Sequence, residues 1–300
     1  MKHLFIVNPM AGKGHAQDVI PLIKEYFKDR NEEYIIEETK GPGDATLIAR
    51  RYVEKGNYRV YSVGGDGTLN EVLNGMAESD SSLAIIPAGS GNDFIRSLYS
   101  SGKNLKDILL ETIEGEESQI DFAKVNDRYF INIASIGFDA KVVESTLGFK
   151  KLPLISGSLA YVFGIFQTLI KNSKFEVEIE TEDIKEKKSI VLIAVGNGRY
   201  YGGGFMALPY AKLDDKLLDI CLVNQLKRWK ILMLLSKYKK GKHESIKEVS
   251  LNKVKAFSIK SQQEFPVNID GELIWAKELN FTLAEKNICV VIPKGNTLRL

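Results

Sequence analysis

Apolar, strand-like runs alternate with helical patterns through the first 100 residues of the chain. Most of these runs contain few charged residues, which is typical of strands buried on both faces. Strands that alternate with helices predict a parallel sheet covered by helices on both sides. The strand-like runs are HLFIVNP (3–9), YIIEET (34–39), YRVYSV (58–63) and LAIIPAG (83–89), and helical patterns span 16–29, 44–55 and 68–78.

The pattern changes in the second half of the chain. KFEVEIETED (174–183) alternates apolar and charged residues with a period of two, which is typical of a half-exposed antiparallel strand. Helical insertions are expected near 140–147, 153–170 and 228–240. This half is expected to form an antiparallel sandwich or curled sheet that shares a cleft with the first half. Further strand-like runs lie at 188–196, 217–223, 246–251, 254–260, 265–270, 278–284 and 287–292.

Three glycines and one aspartate follow the third strand-like run, in the string Gly64-Gly65-Asp66-Gly67-Thr68. The exits of parallel strands lie at the sheet edge where such folds bind ligands. Glycines let main-chain N–H groups approach a phosphate, and the following helix adds its positive N-terminal end. Because the Asp66 carboxylate would repel a phosphate, a Mg²⁺ ion between the two is expected. The alternative is a tight turn in which glycine supplies positive φ angles.

Two more loops rich in small and polar residues are predicted at the same edge, NPMAGKG (8–14) and PAGSGND (87–93). The first is not a Walker A loop, because Val7 and Gly14 stand where that motif has glycine and Ser/Thr. It is not a G-x-G-x-x-G motif either, because Gln17 takes the place of the third glycine. Three such loops at one sheet edge predict a site for the phosphate chain of a nucleotide.

Composition limits the other classes of function. The chain has 300 residues, of which 44% are hydrophobic and 27% charged, as in soluble globular proteins. The longest apolar stretch, 152–170, is interrupted by Ser, Gly, Gln and Thr and falls short of a membrane span. No signal peptide is expected, and Cys221 and Cys289 are interpreted as reduced core thiols of a cytosolic protein.

Basic charge is concentrated in one segment, 226–243, which holds seven Lys/Arg residues and no acid although the whole chain has a net charge of only +2. One interpretation is a solvated basic helix packed on its domain. Another is an interfacial surface that draws the protein onto anionic lipid. Binding of nucleic acid is the weaker interpretation, because the segment has no recognised motif and the chain as a whole is not basic.

Three motifs, in this order and spacing, resemble the diacylglycerol kinase catalytic domain family of bacterial lipid kinases, which is related to the sphingosine kinases. These motifs are NPMAGKG (8–14), GGDGTLNEVLNG (64–75) and PAGSGNDF (87–94). The Gly-Gly-Asp-Gly-Thr string alone is shared with NAD kinases and resembles one in phosphofructokinases, whereas its continuation into Asn70-Glu71 favours the lipid kinases. The resemblance continues through GFDA (137–140), VGNGRYYGGGFMALPYAKLDDKLLD (195–219) and NIDGE (268–272), and so covers nearly the whole chain.

The resemblance implies an N-terminal, Rossmann-like α/β domain that binds ATP and a C-terminal β-rich domain for the lipid substrate. We expect these domains to span 1–125 and 126–292, with 293–300 returning to the first. The resemblance also assigns the residues that bind ATP. They are Asn8, Pro9, Ala11, Gly12, Lys13, Gly14, Thr39, Gly65, Asp66, Gly67, Thr68, Leu69, Asn70, Glu71 and Ser90.

Two further roles follow from the resemblance. The family has a general base at the position of Glu272, which would accept the proton of a lipid hydroxyl, while Asp66 orients Mg²⁺ and phosphate. Without the resemblance, Asp270-Gly271 would simply predict a hairpin turn.

The segment AKLDDKLLD (211–219) resembles a structural Mg²⁺ site of some family members. The ligands carried over are the backbone oxygens of Lys212 and Leu217 and the carboxylate of Asp215. Lys216 stands where the family usually has glycine, and a solvated acidic turn is the alternative.

The sequence therefore predicts an ATP- and Mg²⁺-dependent lipid kinase, cytoplasmic and peripheral at the inner face of the membrane. Diacylglycerol is the expected acceptor, with phosphatidic acid as the product. The other acceptors left open are phosphatidylglycerol, undecaprenol and a sphingoid base. An NAD-kinase-like enzyme with a soluble acceptor and a non-catalytic nucleotide-binding regulator are the alternative functions. The oligomeric state also stays open, with a homodimer as one option.

Overall fold

The computed structural model describes residues 1–89, 93–98, 103–137, 175–182 and 184–296. The helices predicted near 140–147 and 153–170 lie outside these residues, as does Ser90. The helices are α1 (Val19–Phe27), α2 (Asp44–Val53), α3 (Asp66–Met76), α4 (Leu105–Ile113) and α5 (Arg228–Lys239). The strands are β1 (Lys2–Val7), β2 (Glu33–Glu38), β3 (Arg59–Gly64), β4 (Ser82–Pro87), β5 (Glu116–Ile120), β6 (Ala123–Val125), β7 (Arg128–Phe130), β8 (Ile133–Gly137), β9 (Phe175–Thr181), β10 (Lys185–Gly196), β11 (Tyr200–Tyr201), β12 (Phe205–Met206), β13 (Leu218–Asn224), β14 (Val249–Val254), β15 (Ala256–Ile269), β16 (Glu272–Leu283) and β17 (Ile288–Ile292).

The first sheet has six strands in the order β2-β1-β3-β4-β17-β5. All neighbouring pairs are parallel except β17 and β5, which are antiparallel. Both faces are apolar because successive side chains of a strand point to opposite sides. Leu4 and Ile6 pack with α2 and α3 on one face, and Phe5 and Val7 pack with α1 and α4 on the other. The predicted parallel sheet with two helical layers is confirmed.

The connection between β1 and α1 departs from the prediction of one helix over 16–29. A 3₁₀ segment, Ala11–Asp18, comes first, and the α-helix begins only at Val19. Gly12, Lys13 and Gly14 have φ angles of 61°, 61° and 99°, which are left-handed and incompatible with a continuous α-helix. The chain therefore forms a loop and a 3₁₀ segment after β1 before the α-helix starts at Val19.

The second sheet is antiparallel and has nine strands. Its main path is β14-β13-β10-β8-β15-β16-β6-β7, and β9 pairs with β10 and β15. Ile193 and Val195 pack into a core on one side of β10, while Leu192 and Ala194 pack with α5 on the other side. The runs predicted at 254–260 and 265–270 form one strand, β15, whose register shifts between Lys260 and Phe265. The predicted β-rich second half is confirmed.

Sheet membership differs from the predicted domain ranges at two places. Strand β6 (Ala123–Val125) belongs to the second sheet, and β17 (Ile288–Ile292) belongs to the first, where it pairs with β4 and β5. The chain thus returns to the first sheet before residue 293. Its next residues stay there, since the Lys294 N–H donates to the Glu111 carbonyl at 2.8 Å. Within the described residues, no helix combines the length and the apolar character needed to cross a bilayer.

Candidate active site

A cavity of about 480 Å³ lies where the carboxyl ends of β1, β3 and β4 meet the second sheet. The first sheet contributes the loops that follow these three strands. The second sheet contributes residues at the start of β8 and in the turn between β15 and β16, and a separate two-stranded sheet, β11-β12, contributes Tyr201, Gly202 and Gly203. The lining residues are Asn8, Ala11, Gly12, Gly65, Asp66, Gly67, Thr68, Gly89, Asp93, Asn132, Ile133, Tyr201, Gly202, Gly203, Asn268, Asp270 and Gly271.

The loops that follow β1, β3 and β4 are called the first, second and third nucleotide loops. The first of them is held against the other two. The Asn8 amide donates to the Thr68 hydroxyl at 3.0 Å, which ties the first loop to the second. A Cβ atom on Gly12 would lie only 2.1 Å from the carbonyl oxygen of Ala88, in the third loop. Glycine is therefore required at this position, both by the contact and by the φ angle of 61°.

The Gly-Gly-Asp-Gly-Thr string forms the exit of β3 and the first turn of α3. A Cβ atom on Gly64 would meet the Thr68 hydroxyl at 2.4 Å, so this glycine lets the helix start directly at the end of the strand. Asp66 is the first residue of α3, and its Oδ1 accepts the N–H of Asp93 at 3.1 Å. The open N–H groups of the first helical turn and the bare loop backbone together form an anion-binding edge.

Asp93 joins the third nucleotide loop to the turn between β11 and β12. Its Oδ2 accepts the N–H of Gly203 at 2.7 Å, and its Oδ1 accepts from Arg96 Nε at 3.2 Å. Burial raises the pKa of Asp93, and its hydrogen bonds with Gly203 and Arg96 oppose that shift. The carboxylate is thereby fixed in place across the cavity.

The turn between β15 and β16 closes the cavity on the side of the second sheet. Asp270 and Gly271 have φ angles of 46° and 94°, as a two-residue hairpin turn requires. The Asp270 carboxylate accepts the N–H groups of Ile131, Asn132 and Ile133 at 2.9, 3.2 and 3.1 Å. Burial raises the pKa of Asp270, an effect that these N–H groups and the Asn70 amide oppose. The hairpin predicted here is present, and Glu272 is the first residue of β16.

The cavity brings together part of the predicted ATP-binding set. Asn8, Ala11 and Gly12 line it, together with the four residues Gly65 to Thr68. Thr39 follows β2 at the same edge, where its N–H donates to the Val7 carbonyl at 2.9 Å, but it does not line the described cavity. Pro9, Lys13 and Gly14 lie on the same loop as Asn8 and are also outside the lining.

Three residues of α3 from the predicted set face other parts of the protein. Leu69 packs in the core beneath the sheet. The Glu71 carboxylate accepts the N–H groups of Gly43 and Ala45 at 2.9 and 3.2 Å, and so holds the start of α2. Asn70 is fully buried, and its amide donates to the Asp270 carboxylate at 3.2 Å. Helical geometry turns these side chains away from the loop, so Leu69, Asn70 and Glu71 do not line the cavity, and their assignment to ATP stays a prediction.

Several residues that line the cavity were not predicted from the sequence. Asp93, Asn132, Tyr201 and Asn268 reach it from distant parts of the chain. Asp93 and Asn268 stand inside motifs singled out above, PAGSGND and NIDGE, which could have drawn attention to them. Tyr201 stands in the segment 195–219, also singled out above, whereas Asn132 carried no such signal, because only the folding of the chain brings it to the cavity.

Asp66 fits a magnesium–nucleotide complex. Mg²⁺ in phosphate-transfer sites usually takes one or two carboxylates together with phosphate oxygens and water. The Asp66 side chain stands among the loops that would hold the phosphates. Among the described residues, no three His, Cys, Asp or Glu side chains are grouped to hold a metal by themselves. A nucleotide that supplies oxygen ligands fits such a site.

The second predicted metal site, formed by Lys212, Asp215 and Leu217, does not fit a magnesium ion. Asp215 Oδ1 accepts the Leu217 N–H at 3.2 Å, and its Oδ2 contacts the ammonium group of Lys253. Lys216 adopts the left-handed conformation with a φ angle of 58°, so the turn forms without the usual glycine. The Lys253 ammonium thus already neutralises the carboxylate that a metal would need.

Comparison with known proteins identifies the family. Residues 2–125 match the diacylglycerol kinase catalytic domain, and residues 132–291 match the YegS C-terminal NAD kinase beta sandwich-like domain. A diacylglycerol kinase from Staphylococcus carnosus (strain TM300) is 30% identical over 291 residues, which cover 96% of this chain and 94% of that protein. The chain belongs to the diacylglycerol kinase family.

Other members of the diacylglycerol kinase family agree with this assignment. A diacylglycerol kinase from Staphylococcus aureus (strain MRSA252) is 31% identical over 290 residues, covering 96% of this chain and 91% of that protein. The crystal structure of a diacylglycerol kinase from Bacillus anthracis str. Sterne aligns with a TM-score of 0.68 at 26% identity, covering 98% of this chain and 97% of that one. The protein is therefore a lipid kinase, and its family implies ATP as the phosphate donor.

Proposed function

We propose that the protein transfers the γ-phosphate of ATP, in a Mg²⁺-dependent reaction, to the hydroxyl of diacylglycerol to give phosphatidic acid. One observation carries this proposal. The Gly65–Thr68 segment is called the phosphate loop. The hairpin turn that precedes Glu272 faces this loop so closely that a Cβ atom on Gly271 would lie 3.8 Å from the Asp66 Cβ. The group that would orient the phosphate and the group that would take the hydroxyl proton thus belong to adjoining segments.

The described loops provide the contacts that a phosphate chain needs. Main-chain N–H groups around Gly12 and Gly65–Thr68 would bind the phosphate oxygens, with the Asn8 amide fixing the spacing of the two loops. Mg²⁺ at Asp66 would neutralise charge on the phosphates when bound. The amide side chains of Asn132 and Asn268 line the opposite wall and would bind polar groups of the substrates.

In the proposed step, the hydroxyl oxygen of the lipid attacks the γ-phosphorus and forms the new P–O bond. The bond from the γ-phosphorus to the β–γ bridging oxygen breaks, and ADP leaves with that electron pair. The hydroxyl proton passes to the Glu272 carboxylate, whose Oε2 is held by Arg128 at 2.5 Å. Since phosphoryl transfer depends chiefly on positioning and charge neutralisation, losing Glu272 should reduce kcat less than losing Asp66.

A basic, partly apolar surface on α5 supports a membrane-bound substrate. Ile231, Leu234 and Tyr238 face the core, whereas Trp229 and Met233, one turn apart, are 58% and 50% exposed. Exposed lysines accompany these two apolar residues. We propose that this surface, Trp229 and Met233 with Lys239, Lys240 and Lys242, contacts anionic lipid at the inner face of the membrane.

The proposed reaction can be tested by transfer of radiolabelled γ-phosphate to lipid in mixed micelles. Wild type, Asp66→Asn and Glu272→Gln would be compared with diacylglycerol, phosphatidylglycerol, undecaprenol, a sphingoid base and a total lipid extract as acceptors. We expect labelled phosphatidic acid from wild type, a large loss in Asp66→Asn and a smaller loss in Glu272→Gln. Omission of Mg²⁺ should abolish transfer.

Other outcomes would identify an alternative function. Labelling of another lipid would keep the kinase chemistry and change the acceptor. Turnover of NAD without lipid would indicate an NAD-kinase-like enzyme. Folded wild type that binds ATP but labels no acceptor would contradict the proposal and favour a regulatory protein.

A further inference from the structure

Arg128, the first residue of β7, connects the candidate base to the nucleotide-binding helix. Its Nη2 donates to Glu272 Oε2 at 2.5 Å and to Asn70 Oδ1 at 2.6 Å, and its Nε donates to the same Asn70 oxygen at 3.2 Å. One guanidinium group thus contacts an ionisable side chain at the start of β16 and a fully buried amide on α3.

The Asn70 side chain is held in one orientation by the groups around it. Its Nδ2 donates to Asp270 Oδ2 at 3.2 Å and to the Tyr129 carbonyl at 3.1 Å. Because both acceptors lie on the Nδ2 side, the Oδ1 atom must face Arg128. Asp270 is itself fixed by three backbone N–H groups, so the Asn70 side chain that contacts Arg128 is held in a fixed position.

Among the described residues, Arg128 provides the hydrogen bond that holds the Glu272 side chain, and Glu272 has no set of contacts comparable to that of Asn70. Its side chain is 38% exposed, and a glutamate with that freedom populates several rotamers. The charge-assisted hydrogen bond from Arg128 occupies Oε2 and leaves Oε1 as the oxygen that would accept a proton. Arg128 is less exposed than Glu272, at 28%, because its guanidinium is anchored on Asn70.

We propose that Arg128 is a positioning residue of this lipid kinase: it fixes the Glu272 carboxylate relative to the phosphate loop by anchoring it to Asn70 on α3. The inference rests on the proposed role of Glu272 as general base. Phosphoryl transfer depends chiefly on positioning and charge neutralisation, so the placement of the base should affect the rate strongly. A displacement of the base by about 1 Å can reduce the rate on the order of 100-fold.

Arg128 as a mere surface ion pair would have a different effect. Partly exposed ion pairs contribute little to stability, so removing one should leave both folding and activity nearly unchanged. Arg51 provides a matched control, because its Nη2 forms an ion pair with Glu37 at 2.7 Å on the outer strand β2. Neither Arg51 nor Glu37 lines the described cavity.

The test measures kcat, the KM for ATP and thermal unfolding for Arg128→Ala, Arg128→Lys, Glu272→Gln, the Arg128→Ala/Glu272→Gln double variant and Arg51→Ala. We expect Arg128→Ala to lower kcat by about 10- to 100-fold with an unchanged KM for ATP. Arg128→Lys should recover part of kcat, because lysine keeps the charge but cannot hold both partners as the planar guanidinium does. Arg51→Ala should keep the wild-type kcat.

The double variant decides whether Arg128 acts through Glu272. If it does, adding Arg128→Ala to Glu272→Gln lowers kcat no further. If Arg128→Ala lowered kcat by the same factor in wild type and in Glu272→Gln, the proposal would be overturned. A wild-type kcat in Arg128→Ala would overturn it as well. A wild-type kcat in Glu272→Gln would instead overturn the base itself, and with it the role of Arg128, so the two failures are distinguishable.

Discussion

The Asn70 amide donates to the carboxylate of Asp270, 200 residues further along the chain, at 3.2 Å. Asn70 lies on α3, the helix whose first turn forms part of the phosphate loop, and Asp270 lies in the turn that precedes Glu272. This hydrogen bond therefore joins the two halves of the candidate active site directly. Alignment of the nucleotide with the base depends on a contact between groups that are both buried.

Replacing Asn70 with alanine should uncouple the two halves without emptying the nucleotide site. The variant removes the Asn70 bonds to Asp270 and to Arg128, although Asp270 keeps its three backbone N–H groups and Arg128 keeps Glu272. This should lower the free energy of unfolding by about 1–3 kcal/mol. We expect kcat to fall while the Kd for ATP stays near wild type, as measured by kinetics and calorimetry.

Asn74 supplies the control for this prediction. It lies one turn further along α3 and bonds both the N–H and the carbonyl of Tyr129, at 2.9 and 2.8 Å. Its amide also donates to the carbonyl and the Oδ1 of Asn70, at 2.8 and 3.2 Å, so Asn74→Ala removes a contact with Asn70 but leaves the bond from Asn70 to Asp270 in place. Asn74→Ala should lower stability by a similar amount but retain most of kcat. A weakened Kd for ATP in Asn70→Ala alone would instead support the ATP contact predicted from the sequence.

Gly12→Ala should weaken nucleotide binding as well as lower the stability of the protein. A Cβ atom there would lie 2.1 Å from the Ala88 carbonyl oxygen, so the first and third nucleotide loops must separate. We expect a higher Kd for ATP, measured by calorimetry, and a loss of stability of about 1–3 kcal/mol from the left-handed φ angle.

Gly14→Ala isolates the cost of the backbone angle. Gly14 also has a positive φ angle, of 99°, but an added Cβ atom meets nothing within 4 Å. It should lose stability like Gly12→Ala while its Kd for ATP changes less. Equal Kd values in the two variants would contradict the requirement for close contact with Ala88.

The sheet and the three loops could be predicted because their signals are local. Buried runs such as HLFIV alternate with helical patterns, and small residues follow the strands directly. The directions of the Leu69, Asn70 and Glu71 side chains could not be predicted in the same way, because a helix turns successive side chains by about 100°, away from the loop that precedes them. Their partners, on α2 and in the second sheet, are distant in sequence.

Arg128 shows what local patterns cannot reveal. Nothing around it in the sequence marks a site, and its importance comes from two partners, Asn70 and Glu272, which lie 58 and 144 residues away. For the same reason, the sheet to which β17 belongs could not be predicted. Its apolar run follows a series of antiparallel strands, and only its pairing with β4 places it in the first sheet.

Magnesium should not stabilise the nucleotide-free protein through the loop around Asp215. The Lys253 ammonium contacts Asp215 and also lies 3.2 Å from Asp219 Oδ2, so a metal would have to displace it. We expect the thermal midpoint of wild type to be insensitive to millimolar Mg²⁺ in the absence of ATP. Lys253→Ala should acquire a Mg²⁺-dependent rise, and a rise in wild type that Asp215→Asn abolishes would restore the predicted metal site.

Neutralising the lysines of the α5 surface should weaken binding to anionic vesicles. Each basic residue near such a surface contributes about 1 kcal/mol, so Lys239→Gln/Lys240→Gln/Lys242→Gln should lower the partition coefficient on the order of 100-fold at low salt. Co-sedimentation with vesicles containing phosphatidylserine measures this, and about 0.5 M salt, roughly three times physiological ionic strength, should remove most of the difference.

Three exposed lysines beside the first sheet, Lys24, Lys28 and Lys55, provide a triple variant of equal charge. That variant should bind vesicles almost as wild type does. Equal losses in the two triple variants would show that overall charge, and not the α5 surface, governs binding.

His3 should make the stability of the protein depend on pH between about 4 and 6.5. Burial lowers the pKa of His3 from 6.5 to about 4, with Arg59 acting in the same direction and Glu32 opposing it. Between these values the unfolded chain binds a proton that the folded protein does not, so stability falls as the pH drops from 6.5 to 4. A shift of this size corresponds to about 3 kcal/mol.

Denaturant unfolding of wild type and His3→Asn at several pH values measures this contribution. Asparagine retains a polar atom near the Tyr61 hydroxyl, which bonds His3 Nδ1 at 2.8 Å, but it does not titrate. Relative to wild type, the variant should gain about 3 kcal/mol as the pH falls through this window. His15→Asn changes a side chain that is 80% exposed and provides the control for replacing a histidine outside the core. A difference between wild type and His3→Asn that stays constant with pH would mean that His3 binds protons equally well in the folded and unfolded states.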